Sequence, residues 1–182
     1  LGVLARARHI IALDADLGLL TFSKLARPGK TTLLHNTYQP GGRAFLRHPT
    51  RKHLQARLFE CLTQGENIAY ASNSRKEIER MEAVLQDHFP DKTILAIHSG
   101  NSAAPEIQEF LDQVNQRVPS VDVLLYSPTV GTGVSIDVRH FDRVLLCAAA
   151  GTTLPTDLYQ QQGRVRQPKT TEVEFWVDGR YY

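Results

Sequence analysis

The sequence has little cysteine, no long apolar run and almost no net charge, and each shortage removes a class of protein. Two cysteines, Cys61 and Cys147, lie far apart. Two are too few for a disulfide scaffold, so a reducing, cytoplasmic setting is the default. Cys147 falls in the apolar run VLLCAAA and reads as a small buried hydrophobe. No signal peptide or membrane-spanning stretch is visible, and no membrane partner is expected. A formal net charge of +2 argues neither for nor against a phosphate-backbone ligand. Internal repeats and low-complexity tracts are absent. So is an initiating methionine: the first residues after Leu1 already read like the middle of a domain. One segment of a longer protein is the expectation.

What is present fits a globular chain holding one domain and part of another, at 182 residues and 42% hydrophobic. Its basic residues are unevenly spread. Arg43, Arg47, His48, Arg51, Lys52, His53 and Arg57 crowd one stretch, with Glu60 the first acidic residue after them. Such a run suits a solvated helix face as well as it suits a polyanion.

Short apolar runs bounded by turn residues predict strands at His9–Asp14, Thr31–His35, Asn67–Ser72, Thr93–His98, Val121–Ser127, Arg143–Ala148 and Glu172–Asp178. Helical spacing predicts Thr50–Thr63, Ser74–His88, Ala104–Val118 and Pro155–Val165. Ser74 followed by Glu77 has the form of a capping box. Strand alternating with helix implies an α/β fold, a doubly wound and mainly parallel sheet with helices on both faces. Ligands of such sheets bind beyond the carboxyl ends of the strands. The Gly- and Pro-rich stretch KLARPGK…YQPGGR divides the chain. It predicts the end of a first domain at residues 1–25, a linker at 26–42 and a second domain at 43–182.

Four motifs carry possible chemistry. GKTT within Arg27–Leu33 lacks the glycine that a phosphate loop needs five positions before its GK glycine, because Lys24 stands there. A linker flowing into a strand is the better reading. Asp14-Ala15-Asp16 directly follows the apolar run HIIAL, where ATPases place carboxylates for Mg2+ and the attacking water. Helix-capping aspartates would look the same. YSPTVGTGVSID, residues 126–137, interleaves Ser127, Thr129 and Thr132 with two glycines at a strand end. That pattern suits close backbone approach and donation to phosphate oxygens. QQQGRVR, residues 160–166, sets Arg164 and Arg166 one residue apart beside Gly163 on a predicted helix end. The pair suits charge developing on a transferred γ-phosphoryl group. Ser72-Asn73-Ser74 and His98-Ser99-Gly100 close strands on the same predicted edge, where backbone contact and plain turn chemistry are both open. Trp176, in the last strand pattern, is expected in the core.

Taken in order, DADL, IAYASNSRKEIERM, ILAIHSG, LLYSPTVGTGVSID, HFDRVL and QQQGRVRQ resemble superfamily 2 helicases from their magnesium motif onward. The likeness is greatest to the helicase part of cyanobacterial-type plasmid replication proteins, with features shared by herpesvirus origin-binding helicases. It runs from about His9 to Val177. It implies a RecA-like second motor domain of an ATP-dependent helicase or translocase acting in plasmid or phage DNA replication.

By resemblance, Asp14 and Asp16 hold Mg2+ and position water, and Gln160, Arg164 and Arg166 reach the ATP phosphates. Gly133, Ser135, Asp137 and Gly163 lie at the nucleotide. Ser72, Ser74, His98, Ser99, Ser127, Thr129 and Thr132 face nucleic acid, single-stranded DNA by preference. The implied partner is an upstream first RecA-like domain carrying the phosphate loop, without which this chain is expected to be inactive. Three departures from the family pattern stand out: Asp-Ala-Asp in place of Asp-Glu, Ser135 where relatives carry a ribose-binding aspartate, and the missing phosphate loop. A rival reading is a RecA-like module that binds nucleic acid or a partner without hydrolysing ATP.

Overall fold

A computed structural model of the chain describes Arg6 and residues 9–11, 19–26, 30–34, 42–130, 134–149 and 155–179. The chain divides into two compact units, Leu1–Pro40 and Gly41–Tyr182. In the first, the described residues include one helix, α1 (Leu19–Leu25). Neither 9–11 nor 31–34 is a strand, contrary to the apolar pattern at both places, and 12–14 and His35 lie outside the described residues.

The second unit is built on six strands, β1 (Ala44–Arg47), β2 (Ile68–Ser72), β3 (Ile94–Ile97), β4 (Val123–Tyr126), β5 (Arg143–Ala148) and β6 (Glu172–Val177). They pair in the order β1-β6-β5-β2-β4-β3, and every pair is parallel. The α/β expectation therefore holds, with no antiparallel strand among the described residues. Between the strands run α2 (Arg51–Thr63), α3 (Arg75–His88), α4 (Pro105–Asp112), α5 (Val114–Arg117) and α6 (Pro155–Gln162). The strand β1 was not anticipated. AFLR has no apolar run long enough to announce itself, and all four residues are exposed on the sheet edge.

Alternate residues of each inner strand enter opposite cores. Ala69, Ala71, Leu124, Tyr126, Val144 and Leu146 pack with Ile107 and Phe110 of α4, Val114 of α5 and Leu158 of α6. Ile68, Tyr70, Val123, Leu125, Leu145 and Cys147 pack with Leu54, Leu58 and Cys61 of α2 and with Ile78, Met81 and Leu85 of α3. Two covered faces are why these strands read as continuous apolar runs instead of alternating ones. Trp176 packs against the second core, as expected. Both cysteines are free and buried in it, and burial pushes each thiol up to about 12.

Local signals set the helix ends. Thr50 Oγ1 accepts from His53 N–H, and Ser74 Oγ accepts from Glu77 N–H. Glu77 does not complete a capping box, because its buried carboxylate takes donors from Tyr70, Gln55, Arg80 and Arg51 instead. α2 ends at Gly65, whose φ of 82° suits glycine. Gly65 N–H donates to Leu62 O, and Glu66 N–H to Cys61 O. The helix predicted over Ala104–Val118 breaks at Gln113 into α4 and α5.

A second buried carboxylate, Glu174 on β6, accepts from Arg57 Nε (3.1 Å) and Arg143 Nη1 (3.3 Å) and lies 2.7 Å from His48 Nε2. The three partners come from α2, β5 and the residue after β1, so this one side chain fastens three elements. Glu174→Ala should cost about 2 kcal/mol, since it leaves Arg57 with Glu60 alone, Arg143 with Glu66 alone and His48 without this acceptor. Glu109→Ala, which breaks an exposed pair with Arg117, should cost less than about 1 kcal/mol. Urea midpoints of the two variants check this; equal shifts would remove Glu174 as a fastening point.

Candidate functional site

In an all-parallel sheet every strand delivers its carboxyl end to one edge. Here that edge collects the turns after β2, β3 and β4 and the segment after β5, and most of the predicted site residues with them.

After β2, Ser72 is fully buried, and its Oγ accepts from Ser74 N–H at 3.2 Å. Its side chain therefore shapes the turn. Asn73 donates to Ala149 O and accepts from Ala149 N–H, both at 2.8 Å, tying the turn to the end of β5. After β3, His98 is buried and its Nδ1 accepts from Gly100 N–H at 3.0 Å, while Ser99 is exposed. The two turns meet at Arg75. A Cβ on Gly100 would fall 2.6 Å from Arg75 Cζ, so the guanidinium lies directly against the glycine. Arg75 Nε also donates to Glu79 (2.7 Å), which holds that carboxyl below its usual range.

After β4, Ser127 is buried and its Oγ donates to Oγ1 of the exposed Thr129 at 3.0 Å. Thr132 and Gly133 lie outside the described residues, as do Asp14 and Asp16. Beyond them, Ser135 Oγ donates to Asp137 Oδ1 (2.9 Å) and accepts from Arg166 Nε (3.2 Å). Ile136 N–H donates to Arg164 O and Arg166 N–H to Ile136 O, each at 2.8 Å, forming a short parallel bridge between Ile136 and Val165. The hydroxyl-rich and arginine-bearing motifs, well separated in sequence, are thus neighbours in the fold.

The bridge corrects one expectation. Arg164 and Arg166 are not on a helix, because α6 stops at Gln162 and Gly163 turns the chain into an extended stretch. A Cβ on Gly163 would sit 3.2 Å from Gln160 O, which favours glycine at the turn. Arg164 Nη1 donates to Val134 O (3.3 Å), and Arg166 is exposed. Gln160 is half-buried on α6. With few of their five N–H groups committed among the described residues, both guanidiniums suit an anionic ligand.

Two further carboxamides, Asn115 outside any motif and Gln161 within the arginine motif but given no role there, hold this assembly. Asn115 of α5 donates to Ser135 O (3.0 Å), and its Oδ1 accepts from Asp137 N–H (2.7 Å) and Val138 N–H (3.3 Å). Gln161, which is buried, donates to Ser72 O (3.1 Å) and Tyr126 O (3.0 Å), joining α6 to the ends of β2 and β4. Tyr126 Oη donates back to Gln161 O at 3.1 Å, and burial raises this phenol well above its ordinary range, so it stays a donor. Beside Asn115 a cavity of about 600 Å³ opens between Gln108, Leu111, Thr129, Ser135 and Asp137. Among the described residues no group of three His, Cys, Asp or Glu side chains could hold a metal. Nor is any helix there long and apolar enough to cross a membrane.

No protein-family profile matches the chain. In sequence it is similar to an African swine fever virus protein whose name assigns it to a helicase/primase complex. The two are 28% identical over 183 residues, 98% of this chain and 17% of the viral protein. It is similar also to a protein of Acanthamoeba polyphaga mimivirus whose name assigns it to replication-origin binding. Here identity is 25% over 175 residues, 95% of this chain and 21% of that protein. In structure it is similar to the C-terminal domain of S. cerevisiae Dbp5, at a TM-score of 0.51 and 14% identity, over 77% of this chain and 78% of that one. The chain is helicase-like. Its fold is RecA-like. This helicase-like chain spans only about a fifth or less of the length of the viral relatives.

Asn115 gives the site a direct test. Asn115→Ala should raise amide exchange at Asp137 and Val138, whose N–H groups lose their acceptor, while Tyr70 in the central strand keeps its protection. Unchanged exchange at 137 and 138 would mean that the segment stands without Asn115.

Proposed function

We propose that this chain contributes to an ATP-driven nucleic-acid motor of the superfamily 2 type, working in DNA replication as a helicase or translocase. Residues 1–25 end its first RecA-like domain, 26–42 link the two, and 43–182 form the second. The observation that carries this reading is the Ile136–Val165 bridge, which sets the hydroxyl motif and the arginine motif side by side. A motor needs that adjacency, because nucleic-acid contact has to be felt where the γ-phosphate is cleaved. Helicase-like sequence relatives and the RecA-like fold support it.

In this reading the motor binds ATP and Mg2+. Asp14 and Asp16 hold the metal from the first domain. Arg164 and Arg166, with Gln160, face the phosphates from the second, where their charge offsets that developing on the γ-phosphoryl group. Ser135, Asp137, Gly133 and Gly163 shape the nucleotide side. Single-stranded DNA runs past Ser74 and the exposed Ser99 and Thr129, over turns built by Ser72, His98 and Ser127, with Thr132 as a further contact. The sequence contains no phosphate loop, so hydrolysis requires a first domain that supplies one.

Two measurements test this on the full-length protein. Arg164→Ala and Arg166→Ala should each lower DNA-stimulated ATP turnover on the order of 10³-fold, with a much smaller change in ATP binding. Wild-type turnover in both variants would sink the arginine assignment. Affinity for single-stranded DNA should fall steeply with salt and vary little with sequence. Salt-insensitive binding counts against the edge as a backbone track, and a wild type that binds DNA without hydrolysing ATP points to a binding module.

A further inference from the structure

Arg43 belongs by sequence to the basic run that reads as a solvated face. The structure uses it otherwise. It is the first side chain after Gly41-Gly42, and its guanidinium lies half-buried across the stretch that joins α6 to the arginine segment. Nη1 donates to Gln162 O at 3.0 Å and to Gln162 Oε1. Nη2 donates to Val165 O and, at 3.5 Å, to Arg166 O.

These acceptors are informative. Gln162 O is one of the last carbonyls of α6, which have no partner inside the helix. Val165 O and Arg166 O belong to the backbone from which Arg164 and Arg166 project. On the other side the same stretch is held by the Ile136 bridge, so Arg43 supplies the only fork of donors described on its outer side. Burial, and repulsion from nearby Arg166, pull the Arg43 guanidinium below its ordinary pKa, a cost that its acceptors offset. A lysine could not replace it: one ammonium cannot span carbonyls at residues 162, 165 and 166 as a planar fork does.

We propose that Arg43 is a positioning residue for the Arg164–Arg166 segment, fixing the backbone that aims both guanidiniums. The proposal rests on reading those arginines as phosphate-facing groups. Arg43 does not touch the nucleotide. In the sequence it directly follows the 26–42 segment.

The test compares Arg43→Met and Arg43→Lys with wild type and Arg164→Ala, all in the full-length protein. Both Arg43 variants should lower DNA-stimulated kcat about tenfold or more, leave KM for ATP within about twofold, and fail to be distinguished by retained charge. Amide exchange should rise at Arg164 and Arg166, while Ser127 N–H, bonded to Ile97 O on the same edge, keeps its protection. A lowered melting temperature with wild-type kcat would make Arg43 a stabilising residue only and overturn the proposal. So would full protection at Arg164 and Arg166 in Arg43→Met. If Arg164→Ala also keeps wild-type kcat, the phosphate-facing reading fails on its own account. The exchange data then still decide whether Arg43 orders the segment.

Discussion

Two backbone hydrogen bonds across Ile136 and Val165 hold the arrangement on which the rest of the site depends. Each is worth only about 1 kcal/mol net, so a bridge this short would fray if it stood alone. It does not. Ile136 and Val165 are buried, Asn115 clamps one strand of the bridge, and Arg43 clamps the other. The guanidiniums that leave this bridge are therefore aimed by packing and side-chain hydrogen bonds, which a free loop could not provide.

The sheet makes such an edge possible. Because all six strands run parallel and both faces are covered, the apolar work is done by the two cores, and the carboxyl edge is left to polar turns. The buried carboxylates keep to the α2–α3 side: Glu77 is taken by Tyr70, Gln55, Arg80 and Arg51, and Glu174 by His48, Arg57 and Arg143. Of the basic run, Arg57 and His48 lie half-buried against Glu174, and the exposed Arg51 reaches Glu77, so these three have internal partners.

The inner strands and the capped helices α2 and α3 could be read in advance because their signals are local: continuous apolar runs, Thr50, Ser74 and helical spacing. What failed was information that only pairing supplies. The run HIIALD and the run TTLLH have strand composition, yet their described residues form no strand, since composition cannot provide a neighbour. β1 has the opposite character, weak composition rescued by parallel pairing with β6. The predicted helix Pro155–Val165 takes in Arg164; the helix ends at Gln162, and Gly163 and the bridge redirect the chain. The motif segments 126–137 and 160–166 were visible as unusual chemistry. Their adjacency was not, nor were Asn115, Gln161 and Arg43, whose roles lie in acceptors far away in sequence.

A common logic links the side chains that hold the edge. Asn73, Asn115 and Gln161 all use neutral carboxamides to grip backbone groups, and the first two satisfy a donor and an acceptor with one side chain. A carboxylate could accept from the same N–H groups, but it would add negative charge beside a surface proposed to meet phosphates. A lysine could donate, but it would accept nothing. The amide supplies both functions at no electrostatic cost to an anion. Gln161 shows the limit of the device: its Oε1 is buried without a hydrogen-bond partner among the described residues. Both donors of the amide are spent on carbonyls, which ties α6 to the ends of β2 and β4.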